Sequence, residues 1–146
     1  MTARGPYLDT SALAKWYLPE PGSEAFAAYV SQQEVAAISR LTVLEFHSLL
    51  TRRQRSRELA PSGLRRVVEA FERQIADGFI EVHPLDDRHA TGAIALLKRL
   101  PNRPLRALDA LHLAIARDLD VSVLATADRE MALAAKALGF DVRSFA

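Results

Sequence analysis

The chain contains no cysteine. Disulfides, thiolate-ligated zinc clusters and cysteine nucleophiles are therefore excluded, and a reducing, cytoplasmic setting is the expectation. No apolar run approaches the roughly eighteen residues needed to cross a bilayer, and the segment before Asp9 has no apolar signal region. An excess of charge of one sign is missing too. Lysine and arginine total 19 against 18 aspartates and glutamates, a formal net charge of +1. The overall field is thus not that of a protein that coats nucleic acid. Repeats, low-complexity tracts and linkers are absent. With 146 residues, 49% of them hydrophobic and 25% charged, the composition predicts one ordinary globular domain over residues 1–146.

Basic residues are present as a local cluster. Arg52, Arg53, Arg55 and Arg57 crowd the end of one helical run, and Arg65 and Arg66 follow. They read either as a solvated helix face or as a rim that contacts phosphates.

Strand and helix signals alternate along the chain. A short apolar strand over Tyr7–Asp9 leads to Ser11, the expected N-cap of a helix over Ala12–Leu18. Pro19, Pro21 and Gly22 break it, and a second helix spans Ser23–Ser31. Val35–Ser39 reads as a strand, Thr42–Ser56 as a long helix, and Pro61 opens another that ends near Asp77 and Gly78. Further strands are expected at Phe79–His83, Val121–Ala125 and Asp141–Phe145. Helices are expected from Asp86 to Leu100, over Leu105–Leu119 and over Arg129–Leu138, where Gly139 stops the last. This pattern predicts a three-layer α/β/α fold with a mainly parallel central sheet of four to five strands.

In such a fold strand C-termini and helix N-termini share one edge, where open α/β sheets hold their ligands. Asp9, Glu45, Asp109 and Asp128 all belong at that edge. Each also has a structural reading, because acids suit helix N-termini. Thr42-Val-Leu-Glu45 fits a capping box, Asp128 fits an N-cap, and Asp86 and Asp87 read as caps alone. Asp109 is the hardest to explain that way. It lies in Ala107-Leu-Asp-Ala-Leu-His-Leu-Ala-Ile-Ala116, a helix apolar on nearly every side and so expected to be buried. A carboxylate there needs a partner, which Arg106 or a metal ion would supply. Carboxylates about 5 Å apart repel by roughly 3 kcal/mol per pair at an effective dielectric near 20. Four at one edge call for a cation, and Mg²⁺ or Mn²⁺ suits an all-oxygen site. Such ions serve phosphodiester hydrolysis by activating water and neutralising the phosphate.

The same residues carry a family resemblance. Tyr7-Leu-Asp9-Thr-Ser11-Ala-Leu, Leu41-Thr-Val-Leu-Glu45-Phe, Leu108-Asp109-Ala-Leu-His112-Leu-Ala and Ala125-Thr-Ala-Asp128-Arg-Glu-Met resemble, in order, the four acidic motifs of PIN domains. The last two are especially similar to those of VapC toxin ribonucleases, and the likeness spans nearly the whole chain. It implies a PIN fold, Mg²⁺ or Mn²⁺ held by Asp9, Glu45, Asp109 and Asp128, and endonucleolytic cleavage of RNA. It also implies a homodimer and a small VapB-type antitoxin. Thr10 or Ser11 would supply the hydroxyl that the family commonly places beside its first aspartate, and Thr126 and His112 stand next to the outer acids.

On this reading Asp9 and Asp109 are the most direct ligands, Asp128 completes the set, and Glu45 binds metal or orients water. His112 is expected to be a supporting histidine rather than a base. His47, His83 and His89 share no ligand spacing, so zinc is not expected. Trp16, Tyr17 and Phe26 are core or, where exposed, part of a groove for a partner helix.

Three alternatives remain. A phosphatase of the haloacid dehalogenase type needs a second aspartate where Ser11 stands. A housekeeping PIN nuclease of RNA processing would lack a small antitoxin gene beside its own. A non-catalytic RNA-binding module would use its acids as caps and pair Asp109 with Arg106.

Overall fold

The computed structural model describes residues 4–146, so the expected domain start at Met1 lies outside the described residues. In chain order the elements are β1 (Tyr7–Leu8), α1 (Thr10–Tyr17), α2 (Ser23–Val30), β2 (Ala36–Ser39), α3 (Arg40–Arg55) and α4 (Pro61–Ala76). They continue with β3 (Ile80–His83), α5 (Asp87–Arg99), α6 (Ala107–Asp118), β4 (Leu124–Thr126), α7 (Arg129–Ala137) and β5 (Val142–Ser144). Five strands form one sheet in the order β3-β2-β1-β4-β5, and every neighbouring pair is parallel. The expected fold class is therefore observed.

Side chains alternate across the sheet as the two-residue period of a strand requires. Tyr7, Ala37 and Leu124 face one core with Leu96, Leu113, Ile115 and Met131 of α5, α6 and α7. Leu8, Ala36, Ile38 and Ala125 face the other with Leu13, Phe26, Phe46, Leu50 and Phe71 of α1 to α4. Both faces of β1 are covered, which is why its residues are uniformly apolar or aromatic. Gly5, just before β1, is required by close approach. A Cβ there would lie 1.8 Å from the carbonyl oxygen of Val35.

Several boundaries differ from the sequence expectation, each for a local reason. Asp9 is not the last residue of the first strand; it caps α1, accepting from the Ala12 N–H. Ser11 is displaced from the expected capping role because its hydroxyl is turned to Asp9 and the Ala127 N–H. The capping box of α3 pairs Ser39 with Thr42 rather than Thr42 with Glu45. Strand β4 starts three residues later than expected, because Asp120 takes a positive φ of 50° and the Val121 N–H still bonds back to Ala116. Helix α6 starts at Ala107, two residues late, with Arg106 as its N-cap residue.

Strand order reverses beside β1: the chain moves from β1 to β2 on one side, while β4 lies on the other. Crevices beyond the carboxyl ends of strands at such a switch point are where open α/β sheets bind ligands.

Candidate active site

That crevice holds a cavity of about 330 Å³ lined by Asp9, Thr10, Ser11, Glu45, Ser48, Leu49, Arg52, Arg106, Leu108, Asp109, His112 and Asp128. All four sequence-predicted acids are among the lining residues, although they are separated by up to 119 positions. Thr10, Ser11 and His112 line it too, and Thr126 touches it through Asp9.

Three of the four carboxylates are held in a common way. Asp9 is 4% exposed. Its Oδ1 accepts from the Ala12 N–H at 2.9 Å and the Ser11 hydroxyl at 2.7 Å, and its Oδ2 accepts from the Thr126 hydroxyl at 2.5 Å. The Asp128 Oδ1 caps α7 by accepting from the N–H groups of Glu130 (2.9 Å) and Met131 (3.2 Å). The Glu45 Oε1 accepts from the Thr10 hydroxyl at 2.7 Å and stands 2.5 Å from His112 Nε2. A carboxylate oxygen offers two acceptor positions. In Asp9, Glu45 and Asp128 one oxygen is thus filled by the protein while the other keeps capacity. Asp109 accepts no hydrogen bond from the described residues. The capping explanation and the site explanation therefore hold together for Asp128, each using a different oxygen. For Glu45 the capping explanation fails, since Thr42 takes that role.

Behind Glu45 runs a buried chain that the sequence reading did not find. His112, 2% exposed, places Nδ1 2.8 Å from the Tyr7 hydroxyl, which lies 2.8 Å from Ser39 Oγ. The Tyr7 hydroxyl, bonded to Nδ1, thereby aims the imidazole so that Nε2–H donates to Glu45. The available signal was a phenol two residues before Asp9, in a strand where only apolar side chains were needed.

The electrostatics follow from this packing. Burial pushes the Asp9 carboxyl above its usual range, against the opposing pull of His112 and three hydrogen bonds. Burial also acts upward on Glu45, yet the hydrogen bond and charge of His112, the Thr10 hydroxyl and Arg106 bring it below its usual value. The Tyr7 phenol is pushed far up by burial. Asp109 is less buried than its apolar helix suggested, with 17% of its side chain exposed, and Arg106 reaches across it. Arg106 Nε lies 3.6 Å from Asp109 Oδ2 and Nη2 lies 3.9 Å from Asp128 Oδ2.

Among the described residues, no three acidic or histidine side chains are grouped tightly enough to enclose an ion as they stand. The donor set nevertheless fits a hard divalent cation. It consists of carboxylate oxygens with open positions around one pocket, one of them on the buried Asp9, which forms no salt bridge among the described residues. His47, His83 and His89 do not join it; His89 bonds instead to Asp118 at 3.0 Å.

A mainly apolar α/β/α body with a parallel sheet and an acidic pocket at its topological switch point defines the class of molecule. The family follows from comparison with known proteins. The PIN domain model matches residues 7–137, and the chain belongs to that family. Solved structures with the same fold include VapC20 of Mycobacterium tuberculosis, a sarcin–ricin-loop-cleaving toxin, with 22% identity and a TM-score of 0.70 over 93% of this chain and 96% of that one. FitAcB of Neisseria gonorrhoeae has 21% identity and a TM-score of 0.69 over 93% and 94%. VapBC2 of Rickettsia felis, bound to a DNA fragment from its promoter, has 12% identity and a TM-score of 0.66 over 94% and 96%. A comparison of the sequence with curated proteins gives no significant match. Among the described residues no helix is long and apolar enough to cross a membrane.

Proposed function

We propose that the chain is a Mg²⁺- or Mn²⁺-dependent endoribonuclease that acts as the toxin of a VapBC-type toxin–antitoxin pair. The observation that carries this reading is the convergence of Asp9, Glu45, Asp109 and Asp128 on one pocket at the switch point of the sheet. Family membership supports it, because PIN domains are generally nucleases.

Asp9 and Asp109 are the proposed direct ligands, with Asp128 completing the set through Oδ2. A bound divalent ion supplies a lowered pKa for water and neutralisation of the phosphate. The remaining work falls to the chain itself. Ser11 and Thr126 fix the plane of the Asp9 carboxylate, and Tyr7 and His112 hold Glu45 by one oxygen. The other oxygen of Glu45 stays free to accept a proton from an attacking water or to ligate. Asp109 and Asp128 would hold a divalent ion with the oxygens that Arg106 now faces at 3.6 and 3.9 Å, and the exposed Arg106 side chain would then be released from those long pairs.

The proposed partners are an RNA substrate, a VapB-type antitoxin and a second copy of the chain. Solved relatives that are toxin–antitoxin complexes support the antitoxin. Support also comes from a groove of about 380 Å³ lined by Trp16, Tyr17, Leu59 and Val67, an apolar surface of the kind that receives the apolar face of a partner helix. Phe26, by contrast, is fully buried core.

The Arg106–Asp109 pair favours the second reading, an RNA-binding module whose acids are structural. Incubation with total RNA, with and without Mn²⁺, followed by mapping of cut ends, separates the two. The toxin reading expects discrete Mn²⁺-dependent cuts, and growth arrest on expression that Asp9→Asn abolishes. Intact RNA with either ion would favour the module. A small upstream frame encoding a DNA-binding antitoxin would distinguish the toxin from a housekeeping nuclease.

A further inference from the structure

The arginines that follow Glu45 are not equivalent. Arg53 is committed to structure, with Nη2 2.5 Å from Glu20 and Nε 3.4 Å from Glu58. Arg52 beside it has no acidic partner among the described residues; its guanidinium touches only Ser48 Oγ, at 3.5 Å. It nevertheless lines the carboxylate pocket. Glu45, Ser48, Leu49 and Arg52 stand at positions i, i+3, i+4 and i+7, one stripe of α3, so the helix that presents Glu45 presents Arg52 two turns later.

A second cation comes from the start of α6. Arg106 is 80% exposed, and its separations from Asp109 and Asp128, 3.6 and 3.9 Å, are ion pairs without a hydrogen bond. Its planar fork of donors is therefore largely unspent. If these arginines served only to neutralise the acids, Arg52 would be paired with one of them. Instead an acidic pocket carries two available guanidinium groups on separate helices, and such forks match the oxygens of a phosphodiester.

We propose that Arg52 and Arg106 grip backbone phosphates of single-stranded RNA on nucleotides flanking the one that enters the carboxylate pocket. This rests on the nuclease reading above. Arg106 is lent to Asp109 and Asp128 until a cation neutralises them, and is then free for phosphate. Sequence preference does not arise from these contacts, because phosphates are the same along the strand.

The test is the cleavage of a single-stranded RNA oligonucleotide in Mn²⁺ by the wild type and by Arg52→Gln, Arg106→Gln, Arg106→Lys and Arg55→Gln, across about 50 to 200 mM KCl. Each glutamine variant at 52 or 106 is expected to raise KM about ten-fold with little change in kcat. Each also lowers the slope of log(kcat/KM) against log salt by about 0.7, the value for one phosphate contact on a single strand. Arg106→Lys recovers the slope, and Arg55→Gln, an exposed change outside the pocket, alters nothing. Melting with and without Mn²⁺ shows that the variants are folded and still load the ion. Unchanged KM and slope in both glutamine variants would overturn the clamp while leaving the nuclease standing. A lost Mn²⁺ shift in Arg106→Gln would also overturn it, by assigning Arg106 to the upkeep of the acids. A wild type that cuts no RNA in Mn²⁺ would instead sink the underlying reading, and the clamp with it.

Discussion

Asp9→Asn is expected to make the metal-free protein more stable and to abolish its response to Mn²⁺. The substitution is nearly isosteric. Asn Oδ1 keeps the bonds from the Ala12 N–H and the Ser11 hydroxyl. The new amide donates to Thr126 Oγ1, whose proton turns toward Ser11 Oγ at 3.2 Å. What is lost is a buried charge. Burial raises the Asp9 pKa, so the folded state disfavours the ionised form, a cost that the neutral amide does not carry. The melting temperature of Asp9→Asn in EDTA is therefore expected above that of the wild type. Mn²⁺ at a hundred times its dissociation constant stabilises the wild type by about 2.7 kcal/mol, or roughly 8–11 °C, and the variant hardly at all. The order of stability therefore reverses between the two buffers, and scanning calorimetry in each reads it directly. A variant less stable than wild type in EDTA, with the Mn²⁺ shift intact, would refute the reasoning. The same shift sets a pH trend. The folded state keeps the Asp9 proton above the unfolded value of 3.8, so it binds more protons in that interval and loses stability as pH rises through it. In EDTA this slope should be shallower for Asp9→Asn.

Other perturbations test the surrounding framework. Tyr7→Phe leaves His112 Nδ1 and Ser39 Oγ without their shared partner; a loss of about 1–3 kcal/mol is expected in urea titrations, with lower kcat and an unchanged Mn²⁺ shift. Glu20, bonded to Lys15 at 3.1 Å and to Arg53, resists burial through those partners and titrates below its usual value. Its contribution is present above about pH 4.5 and lost as pH falls below it, so Glu20→Gln should cost about 1–2 kcal/mol at pH 7 and much less near pH 3. Gly5→Ala would set a methyl against the Val35 carbonyl and should cost more than about 3 kcal/mol by thermal melting, or prevent folding.

Much of this architecture was legible from local pattern. The alternation of short apolar strands with amphipathic helices is enough for a parallel three-layer fold, and in such a fold acids at strand ends and helix starts share one edge. The sequence marks Asp109 as the acid hardest to explain as a cap, and it does line the pocket, but its helix is not buried all round as expected, since Leu108 beside it is 47% exposed. Capping was misread twice, at Ser11 and at Thr42. A hydroxyl that can cap a helix can equally serve a neighbouring carboxylate, and tertiary partners decide between these uses. The Tyr7–His112 contact joins residues 105 positions apart, so no window along the chain could contain it. Likewise Arg52 and Arg53 are identical in sequence terms and differ only because Glu20 reaches one of them.

The division of labour within each acid bears on how variants of this site should be chosen. Asp128 starts α7 with one oxygen and Asp9 starts α1 with one oxygen. Alanine at either place removes a helix cap worth about 0.5–2 kcal/mol along with the charge, so an inactive alanine variant confounds lost chemistry with a loosened scaffold. The amide counterparts, Asp128→Asn and Asp9→Asn, preserve the scaffold oxygen and silence only the charge. A catalogue of inactivating mutations at these positions is thus interpretable only when the isosteric member is included.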